Sequence, residues 1–474
     1  MRRSGFFVSC IISILLALLV DISRAAGPAA VTVTLDSEKP GSLIPADFTG
    51  LSYEITQMLP DSKGGYYFSP TNRELIGLFR SLGIKSLRVG GNTADRDTVP
   101  IPAKADADSL FAFAKAAGVK VIYTVRLAGG DPEADAAMVK YLVDHYATDL
   151  ECITLGNEPN KEFTNQVTSH DNYLAYGVEL NRFIYTIATT APGAKYCGPS
   201  VVHTSPDWTA DMAADKAHDP RLDFLTQHYY CAKSGQRVTD LVAARDKILS
   251  PAQLDDYRTF YHSFMPAVTA AGLTCRFEET SSFSRGGVAG ASDTFASALW
   301  AVDYLHWWAE QAGMRGFNFH MGKIYGAFVD ADRGGYSVRP LSYGIKAFDL
   351  GGHGRVVPAT LSGGPADLNL TAYGVRDGNV LYVTLINKEH DAGARMATVK
   401  IVPGAAFSGS EGIFLQAPHG DVSAKTNLTL GNAAIRGDGR WDGYWTALAN
   451  MAAGDRFKVT VPPATVLIVK FNLK

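Results

Sequence analysis

Two segments of this chain place glutamate where an apolar run ends: Ile153-Thr154-Leu155-Gly156-Asn157-Glu158-Pro159 and Leu273-Thr274-Cys275-Arg276-Phe277-Glu278-Glu279-Thr280-Ser281-Ser282. An ionisable side chain at the end of a buried strand is costly unless it is paired or put to use. Two carboxyls that converge from two strand ends can cleave a glycosidic bond. One attacks the anomeric carbon; the other protonates the leaving oxygen and later activates water. Side chains alternate along a strand, so only one of Glu278 and Glu279 is expected to face inward. With Cys275 and Phe277 facing inward it is Glu279, and Glu278 then faces the helices or the rim. This reading makes Glu158 the acid/base and Glu279 the nucleophile.

Carboxylates brought together in this way need a scaffold of strands that end at one place. Strand-like runs at 49–55, 84–89, 119–125, 152–155, 195–201, 222–228, 273–277 and 316–320 alternate with helix-like runs at 72–82, 109–117, 134–146, 172–190, 252–271 and 294–312. In 72–82 the apolar Leu75, Ile76, Leu78, Phe79 and Leu82 lie on one helical face. Gly83, Gly118, Gly272 and Gly313 stand at helix ends, where a left-handed residue closes the last turn. Eight strand–helix units in order predict a (β/α)8 barrel over 47–351, whose reactive groups gather at the C-terminal strand ends. From 352 to 474 the pattern shifts to short β-branched runs at 356–361, 368–376, 380–387, 398–402, 413–416, 456–461 and 465–472, the signature of a β-sandwich. The run 31–35, within the segment 27–46, has the same character and is expected to cross over and join that sandwich.

Other polar residues fall at the same strand ends. Arg88, in Arg88-Val89-Gly90-Gly91-Asn92, could hold the nucleophile ionised, or serve as a buried structural ion pair. Asn92 could read a sugar hydroxyl. Asn157 could bond a 2-hydroxyl, and Pro159 fixes the backbone just after Glu158. Glu54 could accept from a hydroxyl or act at the rim. His228 could orient the carboxylates or be a satisfied core histidine. Tyr325 could donate to substrate or to Glu279.

The 474 residues are 46% apolar and 19% charged, ordinary for a globular chain, and the net charge of −3 gives no electrostatic case for nucleic acid or an anionic membrane. Residues 1–26 read as a secretory leader: Arg2 and Arg3, an apolar stretch from Phe6 to Val20, then Ser23-Arg24-Ala25-Ala26 as a small-residue cleavage site. An exported protein is expected. Cys152, Cys197, Cys231 and Cys275 show no metal spacing, and buried thiols compete with disulfides as their state. Asn369 and Asn427 begin Asn-x-Thr glycosylation patterns. No metal, cofactor or required protein partner is called for.

The residues after Glu279 narrow the chemistry. Glu279-Thr280-Ser281-Ser282, then Gly286-Gly287 and Ser292-Asp293-Thr294-Phe295-Ala296, together with Gly156-Asn157-Glu158-Pro159-Asn160 and Arg88-Val89-Gly90-Gly91, resemble glycoside hydrolase family 79, the β-glucuronidase and heparanase-like family. The likeness extends to the β-domain from about residue 367. It implies a retaining β-glucuronidase with Glu158 as acid/base and Glu279 as nucleophile. It further implies that Glu54, Asn92 and Asn157 contact sugar hydroxyls, and that backbone amides near Gly286 and the Tyr325 hydroxyl bind the uronate carboxylate. Arg285 departs from the heparanase-like pattern, which has glycine there; it could add a charged contact or reshape the loop. The expected substrate is a glycan or glycoside ending in glucuronic acid, with or without a 4-O-methyl group. An exo mode fits better than heparanase-like endo cleavage, which would call for dense basic clusters. The competing readings are a related retaining enzyme for a neutral sugar and a non-catalytic carbohydrate-binding protein.

Overall fold

A computed structural model describes residues 29–232, 238–331, 334–448 and 457–474. The expected leader lies outside them. After β1 (Ala29–Leu35), eight strands close into a barrel: β2 (Thr49–Glu54), β3 (Ser86–Gly90), β4 (Lys120–Val125), β5 (Leu150–Leu155), β6 (Tyr196–Val201), β7 (Leu222–Ala232), β8 (Cys275–Phe283) and β9 (Met314–His320). Each pairs in parallel with its sequence neighbour, and β2 meets β9 with Thr49 opposite Phe317. The predicted (β/α)8 barrel with a β-sandwich that takes in the N-terminal strand is the fold observed.

Local chemistry explains the helices. In Arg73–Ser81 the Asn72 side chain accepts from the Leu75 amide at 3.3 Å, and Leu75, Leu78 and Phe79 are buried against the barrel. Asp131 caps Pro132–Tyr146, with proline in its first turn. Gly118, at φ 77°, closes Lys104–Ala117. The helices Pro206–Lys216, Leu241–Leu249 and Pro340–Gly351 had no candidate in the sequence pattern. Phe295–Ala309 is buried all round, because it lies between the barrel and the sandwich rather than facing water.

The sandwich has two sheets. In one, β1 lies between Ala359–Ser362, antiparallel to it, and Ala397–Val402, parallel to it, with Phe457–Val461 beyond. The other contains Arg355–Val357, Leu370–Asp377, Val380–Asn387, Thr465–Leu473 and Phe407–Gln416. Alternation along β1 turns Val31, Val33 and Leu35 inward, onto a core with Val383, Leu385, Val399, Ile401, Leu467 and Phe471. Pro358 splits the expected run 356–361 into two short strands. Cys152, Cys197, Cys231 and Cys275 are all buried free thiols, so none of them forms a disulfide. Cys152 and Cys197 pack with Ile122 and Phe224.

The strands that matter most run longer than their apolar patterns. β7 continues to Ala232 and β8 to Phe283. All nine residues of β8 are buried even though Glu278-Glu279-Thr280-Ser281-Ser282 is polar. Hydrophobicity ends at Phe277, but Glu278 and Glu279 find partners inside the barrel and Thr280 and Ser282 find them on the helix and loop outside it, so the strand does not end there.

Candidate active site

Glu279 lies inside β8 rather than after it, and the alternation expected there is broken. Thr226 pairs with Arg276 and His228 with Glu279, so Gln227 alone stands against Phe277 and Glu278. On the other side Phe317 pairs with Phe277 and Phe319 with Thr280, leaving Asn318 against two residues. This is a β-bulge at Glu278-Glu279. Phe277 does not face the barrel centre: it packs on Trp308 at 4.8 Å and on Phe260 and Phe264 of the surrounding helices. Glu278, expected at the helices or rim, is fully buried inside the barrel. It accepts from Thr154 Oγ1 at 3.1 Å and from the Ser200 hydroxyl. The bulge turns both glutamates inward, Glu278 into the interior and Glu279 to the mouth.

Glu279 is held from three sides. Arg88 Nη1 donates to its Oε2 at 3.0 Å, and the Tyr230 hydroxyl donates to its Oε1 at 2.8 Å. His320 Nδ1 lies 3.8 Å from Oε2 and 3.1 Å from the Ser52 hydroxyl. Burial works to raise the Glu279 pKa, but His320, His228 and Arg88 and the Tyr230 hydrogen bond outweigh it and hold the carboxyl well below the usual range. Arg88 is fully buried and also donates to Asn157 Oδ1 at 2.6 Å, so one guanidinium fixes the nucleophile candidate and the residue before Glu158. A Cβ on Gly90 would sit 2.8 Å from Arg88 Nε, and one on Gly91 would sit 2.6 Å from the Glu54 carboxyl. The pair of glycines at the end of β3 leaves the space those two side chains occupy.

Glu158 arrives by a different device. After β5 the chain turns through Gly156 at φ 74°, and Glu158 itself is left-handed at φ 51°. That conformation is held by its amide bonding the Ser200 carbonyl at 2.9 Å and by Asp95, which accepts from the Asn157 amide at 2.6 Å and the Leu127 amide at 2.7 Å. Pro159 opens a single 3₁₀ turn, Pro159–Lys161, which folds the Lys161 ammonium onto Glu158 Oε2. His228 Nδ1 is 3.2 Å from Glu158 Oε1 and 3.9 Å from Glu279 Oε1, while its Nε2 is 3.8 Å from Glu278. His228 is fully buried among three carboxylates. It is placed to orient them rather than to touch a ligand at the mouth.

One oxygen each of Glu158 and Glu279, with one His228 nitrogen, lie within 4.8 Å of one another. A retaining pair needs carboxyls about 5–5.5 Å apart, whereas an inverting pair needs room for a water at about 6.5–9.5 Å. The separation is of the retaining kind. The same three atoms would also suit a divalent cation, but Arg88 and Lys161 already bring positive charge onto these carboxylates. A second His/Asp group, Asp246, His390 and Asp391, is partly exposed and joins a barrel helix to the sandwich through a 2.8 Å contact between His390 Nε2 and Asp246.

The remaining candidates are distributed around this centre. Glu54 accepts from the Thr93 amide at 2.7 Å and hydroxyl at 2.6 Å, and His320 Nε2 is 3.6 Å away. Burial raises its pKa, but His320 and Thr93 more than offset that and the net shift is downward. Asn92 is exposed in the turn Gly91–Thr93, where Thr93 rather than Asn92 reaches Glu54. Asn157 keeps its amide NH₂ for other partners because only its Oδ1 is taken by Arg88. Arg285, Gly286 and Gly287 follow one another at φ 54°, 88° and 91°, with the first two exposed. The Gly287 amide bonds the Ser284 carbonyl at 3.3 Å, so among the described residues the Arg285 and Gly286 amides are the donors this loop can offer a ligand. Tyr325 is buried beside Tyr230, their rings 6.2 Å apart, and a Cβ on Gly287 would meet its ring at 3.0 Å. Lys161, Ser200, Tyr230 and His320 were not singled out in the sequence, and Glu278 was placed at the helices or rim. The clue for Tyr230 lay in Gln227-His228-Tyr229-Tyr230 continuing an already noted strand; the others are set by distant partners.

No family model matches the chain, and no curated protein matches its sequence. Solved structures do share its fold. A 4-O-α-L-rhamnosyl-β-D-glucuronidase from Fusarium oxysporum, in complex with Rha-GlcA, superposes with a TM-score of 0.71 at 18% identity, covering 92% of this chain and 99% of that one. A GH51 arabinofuranosidase from Xanthomonas axonopodis pv. citri gives 0.65 at 15% identity over 94% of this chain and 100% of its own. A bifunctional glucanase-xylanase from a metagenome library gives 0.61 at 15% identity, again over 94% and 100%. The barrel with its appended sandwich is therefore an architecture that carries glycosidases of several specificities.

Proposed function

We propose that this protein is a retaining glycoside hydrolase that removes terminal β-linked glucuronic acid from glycans or glycosides. The observation that carries the hydrolase reading is the pair Glu158 and Glu279, with oxygens within 4.8 Å at the C-terminal end of a closed barrel. In the first step the ionised Glu279 attacks the anomeric carbon while Glu158 passes its proton to the glycosidic oxygen, and the aglycone leaves. In the second, Glu158 takes a proton from water as that water attacks the same carbon, freeing the sugar and Glu279 with the original configuration. Arg88, Tyr230 and His320 keep Glu279 ionised and aimed. The residual NH₂ of Asn157 is placed for a hydroxyl that strengthens its bond in the transition state.

The uronate reading is supported by the left-handed loop at Arg285–Gly287, the Tyr325 ring packed on it, and the Lys161 ammonium on the Glu158 carboxylate. It also agrees with the glucuronidase among the structural neighbours. The arabinofuranosidase and glucanase-xylanase neighbours keep a neutral sugar as the second reading. The leader-like residues 1–26 fit an exported enzyme. Assays on aryl β-glucuronide, β-xyloside, β-glucoside and α-arabinofuranoside decide the specificity: glucuronide turnover should exceed the others, and preference for a neutral glycoside would overturn it. NMR of the first-formed product should show retained configuration; inversion would contradict the paired geometry.

A further inference from the structure

The pair at the mouth contains a contradiction that the proposed chemistry must resolve. A catalytic acid must carry a proton when substrate binds, yet Glu158 is ion-paired through Oε2 with the Lys161 ammonium. An ammonium at contact distance favours the ionised carboxylate, the wrong form for the first step. The other groups facing Glu158 are His228 from β7, 3.2 Å from Oε1, and Glu279 from β8, with Glu278 behind His228. Lys161 differs from these in being free to leave. Its side chain is 52% exposed on a single 3₁₀ turn, whereas His228 is fully buried. Its ammonium rests on Glu158, at the opening that Glu158 shares with Glu279. The Arg285–Gly287 loop reaches the same opening through Tyr325, which packs on Gly287 and lies beside Tyr230, the donor to Glu279. Burial lowers the Lys161 pKa, and the charge of Arg285 acts in the same direction.

Resting on the glucuronidase reading, we infer that Lys161 couples recognition of the sugar's carboxylate to the protonation of Glu158. In the empty site it pairs with Glu158. A uronate entering beside Arg285 draws the ammonium away and leaves Glu158 able to hold the proton it gives to the leaving oxygen. The anion relieves the repulsion between Lys161 and Arg285 and becomes the counter-ion that Glu158 had been. A neutral sugar offers no such exchange, so Lys161 remains on Glu158 and the acid stays ionised. Lys161 is on this account a positioning residue whose partner changes during binding, and it discriminates uronides from neutral glycosides through the acid as well as through affinity.

The test compares pH profiles for the full chain with phenyl β-D-glucuronide, whose poor leaving group requires acid assistance and whose aglycone is neutral. The alkaline limb of kcat/KM reports the free enzyme and that of kcat reports the complex. In the wild type the kcat limb should lie at higher pH than the kcat/KM limb. Lys161→Ala removes the ammonium, which raises the pKa of the free acid, so its kcat/KM limb should move up to meet the kcat limb. KM for the glucuronide should rise about tenfold, the loss of one charged contact worth about 1.4 kcal/mol. Lys161→Arg should restore both. Coincident limbs in the wild type, or a Lys161→Ala enzyme with unchanged limbs and KM, would overturn the inference while leaving the glucuronidase reading intact. A wild type that cleaves aryl β-glucosides but no glucuronide would instead overturn that reading, and this inference with it. A change in KM seen only with an acidic aglycone would place the anion on the leaving group and also overturn it.

Discussion

Two clusters of side chains in this molecule bury carboxylates and differ in outcome. At the seam between barrel and sandwich, Asp303 accepts from the Thr371 and Tyr373 hydroxyls at 2.7 Å each and from the Lys388 ammonium at 2.5 Å. Both its oxygens are engaged, its cation is buried with it, and all its partners come from the sandwich. At the barrel mouth, Glu54, Glu158, Glu278 and Glu279 share Arg88, two histidines and the half-exposed Lys161. One of those cations, Lys161, is half exposed rather than buried with its acid. A buried acid whose partners are all buried with it fastens two layers together, while a cluster at an opening with an exposed partner has interactions left for a substrate.

The largest expected difference between the clusters is in turnover. Glu279→Gln should lower kcat/KM by on the order of 10⁴-fold or more with little change in melting temperature. Glu278→Gln, one residue away, should retain measurable turnover, since Glu278 lies beneath the site on Thr154 and Ser200; if it proves the more damaging change, the roles read from the bulge are reversed. Glu158→Ala should cost about 10²–10⁴-fold on phenyl glucuronides and far less on dinitrophenyl glucuronides, and equal losses on both would remove it as the acid. At the seam the balance inverts. Lys388→Met strands Asp303 and should cost about 3–5 kcal/mol in urea unfolding while kcat and KM stay near wild type.

The smallest effect separates the clusters by pH. His306, stacked on Tyr373 at the seam with ring centroids 5.1 Å apart, is pushed down to about 3 by burial, although Asp303 opposes the shift. The unfolded chain binds a proton at about pH 6.5 and the folded one does not, so stability rises with pH across that window and is lost as pH falls from about 6.5 toward 3. Between pH 7 and 5 this is about 2 kcal/mol. His306→Phe should flatten that part of the stability profile relative to the wild type. The nucleophile behaves differently: a Glu279 carboxyl held below the ordinary value of about 4.3 keeps the acid limb of kcat/KM below that pH, and Arg88→Met should move the limb upward. An unmoved limb would mean that Arg88 positions Glu279 without tuning its charge.

Much of the scaffold could be read from the chain because its signals are local. The 3.6-residue spacing of Leu75, Leu78, Phe79 and Leu82, the Asn72 and Asp131 caps and the alternating valines of β1 depend only on neighbours. The helix Phe295–Ala309 was found by its length and apolar content, but the polar end of β8 was harder. It is buried on every side, so periodicity carries no face to detect. The positions of Glu158 and Glu279 at converging strand ends followed from motif and barrel order. The inward turn of Glu279 was expected, but for the wrong reason: Phe277 faces the helices, and only the bulge brings Glu279 back to the mouth.

By itself the sequence determined the barrel, the sandwich that takes in β1, and two glutamates on the fourth and seventh barrel strands, since these follow from periodicity, turn residues and chain order. Tertiary structure alone decided that Glu278 lies inside the barrel, that His228 joins three acids, that Arg88 spans Glu279 and Asn157, and that Lys161 rests on Glu158. Those facts depend on a one-residue slip between strands and on side chains far apart in sequence, and an electrostatic balance is a property of distances that no single segment contains.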